Sequence, residues 1–293
     1  MVRGSERCIG ATTSGCLAFS DWSDVVLVNP VTDALESVVI AGHNMLNLDR
    51  VLVSGGGGDS FFSFDMYGIS LWRRRRAEGR DEWSKLPVHP AHPNQVFNII
   101  LAVNCNGCVY VFPRNWDVST VDSSAQPPLL TEKLPVASMD LVRKGGHLIG
   151  LDGEVLFVHR VIACKDIELV FCGHGEEQNV VVGFEVYKLD MKAQRWSKVE
   201  RLADDRALFV SPQSSFAVRA SETAGCRSNC IYFVGESLRC STCQADSGST
   251  WGMYSIEDRE DLFKQAFGGL RRKCTAARWF LPTVNEAQSN GSP

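Results

Sequence analysis

FEVYKLDMKAQRW (residues 184–196), DDRALFV (204–210) and NCIYFVGE (229–236) follow one another closely in the chain. They read as strand, turn, tryptophan, then strand, loop, strand. The runs are short, rich in β-branched and aromatic residues, and cut by Asp, Asn and Gly, which favours strands over helices. Leu189-Asp190 ends one strand, and the Trp196 that follows the turn begins the next.

The same grammar extends outward in both directions. Further strands are expected at residues 25–28, 98–103, 109–112, 148–151, 155–159, 180–189, 216–219 and 231–234. Two hairpins follow from turn chemistry. Asn106-Gly107 separates AVNC from CVYVF, and Asp152-Gly153 separates HLIGL from EVLFV; both pairs suit the positive φ angles of tight type I′ turns. Residues 155–158 are apolar on both faces, as in strands covered from both sides.

Composition sets the outer limits. The 293 residues are 44% hydrophobic and 22% charged, enough to bury a sizeable core. A net charge of -4 gives no general pull toward nucleic acid or anionic membrane. No apolar run approaches the roughly 20 residues that span a bilayer. The first sixteen residues contain no apolar signal core, so the 11 cysteines are expected to be reduced thiols in the cytoplasm or nucleus.

An approximate repeat runs through the chain. Tyr110, Tyr187 and Tyr254 lie 77 and 67 residues apart (187 − 110 and 254 − 187). Halved, these separations fall a little below the roughly 40 to 50 residues of a four-stranded propeller blade. One segment reads as a helix: residues 260–267 place Leu262, Phe263, Ala266 and Phe267 on one side, with Gly268-Gly269 to stop it. The least ordered stretches are expected at residues 286–293 and 117–128, and residues 54–60, with four consecutive glycines, read as a flexible turn.

The Leu189, Asp190, Trp196 element, the D-R-A-L-F run from Asp205 to Phe209 and the N-C-I-Y-F run from Asn229 to Phe233 resemble, in this order, the plant F-box-associated β-propellers. Other stretches are similar to the same family. Leu27 to Thr32 resembles its L-N-P-x-T turn, although Cys16 stands where the family has Trp. Trp72-Arg73 with Trp83 resembles a blade-ending pair, Gly153 to Leu156 a G-E-L-L strand, and Trp279-Phe280-Leu281-Pro282 a closing W-F-x-P element. The resemblance implies an all-β, kelch-like β-propeller of about six to seven blades over residues 8–283, with its N-terminal blade the place where it could be incomplete. Residues 1–7 form a short leading segment and residues 284–293 a disordered tail.

Candidate chemistry is sparse. Cys226-x3-Cys230 and Cys240-x2-Cys243 could together hold a structural zinc, and Cys105-x2-Cys108 adds a pair across a tight turn. Cys230, however, lies inside a strand, where free cysteine behaves as a small hydrophobe. No metal is assigned. Arg73 to Arg76 read as a solvated loop beyond a strand, partly neutralised by Glu78, Asp81 and Glu82, with a nuclear import signal or phosphate patch as the alternative. Gly55 to Gly58 lack the Lys-Ser/Thr of a phosphate loop. His174, beside Cys172, Glu176 and Glu177, is the most site-like histidine and reads as a solvated turn. Trp83, Trp196 and Trp279 are expected between blades. Arg206 is expected to bridge loops, with Asp205 as its partner.

The chain is therefore expected to be a non-enzymatic protein-binding propeller with no catalytic, cofactor-binding or metal-binding residue, whose partner contacts lie on loops at one rim. The resemblance implies the substrate-recognition half of a ubiquitin-ligase receptor, meeting a ligase adaptor only through an upstream F-box. Only a handful of residues precede the first expected strand, too few for that helical module. The alternative is an F-box-less interaction protein that sequesters its partner, or a truncated product without a ligase role.

Overall fold

Antiparallel hairpins are the unit from which the molecule is assembled. The computed structural model describes residues 7–11, 17–20, 24–28, 35–39, 50–54, 60–65, 68–77, 80–90, 99–113, 117–131, 146–165, 178–203, 205–211, 214–234 and 250–266. The first sheet contains β1 (Arg7–Ala11), β2 (Leu17–Ser20), β3 (Asp24–Val28) and β4 (Leu35–Val39) in that order. The second contains β5 (Arg50–Ser54), β6 (Ser60–Asp65), β7 (Gly68–Ala77) and β8 (Arg80–Pro87), also in chain order. The third comprises β9 (His89–Pro90), β10 (Ile99–Cys105), β11 (Cys108–Pro113), β12 (Ser119–Asp122) and β13 (Leu129–Leu130), arranged β10-β11-β12-β13-β9. The fourth contains β14 (Gly146–Leu151), β15 (Glu154–Lys165), β16 (Gln178–Asp190) and β17 (Arg195–Val199).

The fifth sheet departs from a simple meander. It holds β18 (Arg206–Ser211), β19 (Ser214–Arg219), β20 (Cys230–Val234), β21 (Thr250–Ser255) and β22 (Glu260–Ala266) in the order β19-β18-β20-β21-β22. β18 therefore pairs antiparallel with β19 and parallel with β20. The connection between β19 and β20 begins with a 3-10 turn at Ala220–Glu222. One strand of each sheet meets its neighbour in succession: β1 with β5, β5 with β10, β10 with β14, and β14 with β19. Sheets packed side by side through one inner strand each are the blades of a β-propeller.

Five sheets stand among the described residues, where six to seven blades were expected. The tyrosine spacing fits the smaller number. Tyr110 lies on β11, Tyr187 on β16 and Tyr254 on β21, which belong to the third, fourth and fifth sheets. The separations of 77 and 67 residues thus span one blade each and not two. The fourth blade is long because β15 and β16 run to 12 and 13 residues.

Apolar side chains fill the seams between sheets, because no single sheet can cover its own faces. The fourth sheet shows this most directly. Leu148, Val155, Phe157 and Trp196 pack toward the third sheet with Phe112, while Ile149, Leu156, Val158 and Val186 pack toward the fifth with Leu208 and Ile231. A third cluster joins the second and third sheets through Phe62, Leu71, Val109 and Val121. Trp196 stands 5.9 Å from Phe112 and 5.8 Å from Phe157, ring centre to ring centre.

Two further expectations are corrected. Residues 260–266 form β22, antiparallel to β21, instead of a helix. The pairing passes from Tyr254 with Asp261 to Met253 with Phe263, so Leu262 is an extra, bulged residue. A bulge breaks the two-residue alternation and sets Leu262 beside Phe263 in a pattern that imitates a helix face. Residues 117–128 contain β12, with Ser119 and Val121 buried, and the Asp122 carboxylate accepts the Ser124 and Ala125 N–H groups at 2.9 and 3.3 Å. Its Ser and Asp residues close a turn by side-chain to backbone bonds.

Candidate functional site

The two turns read from Asn-Gly and Asp-Gly lie side by side at one rim. Asn106 and Gly107 have φ of 51° and 81°, and Asp152 and Gly153 have 49° and 86°, the left-handed conformations that such pairs supply. Their hairpins, β10–β11 and β14–β15, belong to adjacent sheets. Gly150 permits the approach: a Cβ there would lie 2.2 Å from the Asn104 carbonyl oxygen. Cys105 Sγ donates across the same seam to the Glu154 carbonyl at 3.2 Å.

The D-R-A-L-F run completes this rim from the fifth sheet. Arg206, its side chain only 13% exposed, ion-pairs with Asp152 at the tip of the neighbouring hairpin. Asp205 does something else: its carboxylate accepts the Ser221 N–H at 2.6 Å, and hydrogen bonds from Ser221 hold that carboxyl below the usual range. The bridging role expected of Arg206 is present, but Asp152 replaces Asp205 as its ion-pair partner.

Asn229 opens the N-C-I-Y-F run as a buried staple. Its φ is 56°, its Oδ1 accepts the Leu202 N–H at 2.7 Å, its own N–H donates to Arg206 O at 2.8 Å, and its carbonyl accepts from Ile256 N at 3.0 Å. One residue thereby joins the exit of the fourth sheet to three parts of the fifth. Asn suits the position because it tolerates positive φ and carries an acceptor.

Further pairs close the seam between the fourth and fifth sheets. Arg259 pairs with Glu200, and Arg201 lies 3.8 Å from Glu257. Beneath them is a cleft of about 220 Å³ lined by Val161, Val182, Phe184, Glu185, Tyr254 and Arg259. Glu185 accepts hydrogen bonds from Lys198 Nζ at 2.6 Å and Tyr187 Oη at 2.8 Å, and lies 3.9 Å from His159 Nδ1. Burial raises the Glu185 carboxyl pKa, but the Lys198 and Tyr187 hydrogen bonds outweigh it and leave it lowered. A carboxylate neutralised in this way is a structural counter-ion. Sequence reasoning missed this group; its signal was the alternation of charged and apolar residues along β16, which turns Glu185 away from Phe184 and Val186.

The other candidates fall as follows. Arg73 to Arg76 lie within β7 instead of a loop, opposite Ser84, Trp83, Glu82 and Asp81 in register. Arg73 Nη2 donates to Ser123 O at 2.5 Å, and Arg74 sits 5.6 Å from the centre of the Trp83 ring. The run thus belongs to a strand pair, in register with residues 81–84 of β8, and not to a loop beyond a strand. Cys230 is buried on β20 and Cys226 is half-buried near Tyr232; burial pushes both thiols up, and that of the Tyr232 phenol to about 12. Cys240, Cys243, His174, Gly55 to Gly58 and Trp279 lie outside the described residues. Among the described residues no group of three or more His, Cys, Asp or Glu side chains could hold a metal ion, and no helix is long and apolar enough to cross a membrane.

The chain is similar to several known proteins. It is 51% identical over 155 residues to an Arabidopsis thaliana F-box protein, At2g26160, covering 52% of the chain and 42% of that protein. A second Arabidopsis thaliana protein named for the F-box, At3g25750, is 25% identical over 215 residues, covering 71% of the chain and 53% of that protein. The chain thus spans about half the length of the curated relatives it matches. Among solved structures, the β-propeller domain of Myceliophteria thermophila Cps50 (Swd1) aligns with 90% of the chain and 87% of its own length at 10% identity and a TM-score of 0.37, too distant to add to the assignment. The KIB1-4 beta-propeller family matches residues 2–255, and the chain belongs to that family.

Proposed function

We propose that the chain is a non-catalytic protein-recognition propeller that selects a protein target, as the target-binding half of a plant F-box ubiquitin-ligase receptor would. The observation that carries this reading is the rim described above. Hairpin tips from the third and fourth sheets and turns from the fifth are brought side by side and fixed by Gly150, Asn229 and the Asp152–Arg206 pair. Such an arrangement presents polar loops on a rigid scaffold, which suits recognition of a protein surface. Arg206 with Asp152, Arg259 with Glu200 and Arg201 with Glu257 are ion pairs, so these charges set shape more than they offer free reactive groups. On this reading the 11 cysteines stay reduced and the protein works in the cytoplasm or nucleus, which cell fractionation tests.

The test is affinity purification of the tagged full chain from plant cells, followed by measurement of the half-life of each co-purifying protein. A target whose lifetime shortens when the chain is expressed, purified together with a ligase adaptor, supports the receptor reading. A stable target complex without ligase subunits and with an unchanged or longer target lifetime supports recognition by sequestration. A folded chain that captures no protein specifically would overturn the proposal.

A further inference from the structure

Cys105 and Cys108 flank the Asn106-Gly107 turn as directly opposed partners of the β10–β11 hairpin. Opposed residues of an antiparallel pair project from the same face with Cα atoms about 4.5–5.5 Å apart, inside the roughly 4.4–6.8 Å range that a disulfide requires. Both thiols are free. Tyr110, two residues further on, shares a hydrogen bond with Cys108 and lies within electrostatic reach of both sulfurs, which gathers the three side chains on one face of the hairpin.

We propose that Cys105 and Cys108 form a thiol–disulfide exchange site, which a small-molecule disulfide such as glutathione disulfide closes into an intramolecular bond. Cys108 is half-buried and Cys105 buried, so Cys108 reacts first. Its thiolate attacks one sulfur of glutathione disulfide, forms a mixed disulfide and expels a glutathione thiolate, which takes up the proton Cys108 has lost. Cys105 then gives up its proton and attacks the Cys108 sulfur, the protein disulfide forms, and the second glutathione leaves as the thiol. Two protein thiols are oxidised by two electrons and one glutathione disulfide is reduced to two glutathiones. Burial holds both thiols above their ordinary range, so closure is slow near neutrality and faster as pH rises.

The position of the pair gives this chemistry a consequence. The Cys105 Sγ–H bond to Glu154 O ties the third-sheet hairpin to the first residue of β15, two residues from Asp152. Closing the disulfide removes that donor and loosens the hairpin tip that anchors Arg206. The redox state of the pair is thereby coupled to the rim.

Trypsin makes the test direct. The peptide spanning residues 86–114 ends at Arg114, has no internal Lys or Arg, and contains two cysteines, Cys105 and Cys108. Native full-length protein is incubated with glutathione disulfide, its remaining thiols are alkylated, and the peptide is weighed while circular dichroism follows the fold. The expected result is a peptide lighter than the dithiol by two hydrogens and free of alkylation, restored to the dithiol by dithiothreitol. In Cys105→Ser the same treatment should stop at a glutathione adduct on Cys108. An unchanged dithiol, an adduct on Cys108 of the unsubstituted protein without closure, or closure only after the circular dichroism signal of the fold is lost would each overturn the proposal.

Discussion

Arg206 on β18 reaches out of its own sheet to pair with Asp152 at the tip of the β14–β15 hairpin, past its sequence neighbour Asp205. The Asp152 side chain is 62% exposed, so the charge attraction alone is worth only about 0–1 kcal/mol. The Arg206 side chain is only 13% exposed, so truncating it opens a largely covered position as well as removing charge. Arg206→Ala should therefore lower stability by about 1–2 kcal/mol, and Asp152→Asn by less than about 1 kcal/mol. Chemical denaturation of both single variants and the double variant measures this. A larger loss in Asp152→Asn than in Arg206→Ala would contradict the assignment.

Asn229 should be among the most sensitive polar residues. Removing its side chain leaves the Leu202 N–H buried without its acceptor, a loss of about 1–3 kcal/mol. Asn229→Gly keeps the freedom to hold φ of 56° but loses the acceptor, while Asn229→Ala loses both. The expected order of Tm is Asn229, then Gly, then Ala. Equal melting temperatures for all three would show that the staple carries no load.

Gly150 and Gly107 separate two uses of glycine. Gly150→Ala drives a Cβ to 2.2 Å from Asn104 O and must push the third and fourth sheets apart, at about 1–3 kcal/mol or more. Around Gly107 a Cβ would meet nothing within 4 Å, so Gly107→Ala bears only the strain of its φ of 81°. Thermal melts should rank Gly150→Ala as the more damaging of the two.

Trp196 lies between the third and fourth sheets and is 9% exposed, whereas Trp83 is half-buried against Phe61 at 5.1 Å. Trp196→Ala should cost about 3–5 kcal/mol and Trp83→Ala clearly less. Urea unfolding of the two variants compares them directly.

These residues also show how far the fold was legible in the sequence. The eight expected strands, both hairpin turns and the two apolar faces of residues 155–158 follow from short-range pattern, and the structure contains them, with residue 98 outside the described residues. β22 was misread because a bulge at Leu262 gives a strand the spacing of a helix. The arginine run was misread because its partners on β8 come into register only when the hairpin forms. The described residues hold five sheets where the family resemblance implies about six to seven blades, and the tyrosine repeat is one blade long. The Arg206–Asp152 pair joins residues 54 positions apart, and no local pattern marks such a contact.

Stability should fall off at both ends of the pH scale. Asp190, bonded by the Ala193 and then the Lys192 N–H, and Asp122, bonded by the Ser124 hydroxyl and N–H, have lowered pKa values in the folded chain, as does Asp205. A folded pKa below the unfolded value gives stability that is complete above about 3.9 and is lost as pH falls through the folded values. Burial raises the thiols of Cys105, Cys108, Cys226 and Cys230. Their contribution is complete below the unfolded thiol value near about 8.5 and is lost as pH rises through the folded ones. Melts across this range, under reducing conditions, should give a plateau between these limits; a Tm that climbs below pH of about 4 would contradict it.

Recognition of a protein target at the rim can be measured by quantitative mass spectrometry of proteins captured from plant cells. The unsubstituted chain is compared with Arg201→Glu/Glu257→Arg, whose exposed side chains lie on the rim, and with Gln265→Arg on the outer strand β22. At least one protein should be captured by the unsubstituted chain and by Gln265→Arg but lost from the rim variant, with all three chains equally folded. Identical capture by the rim variant, or loss confined to Gln265→Arg, would contradict it.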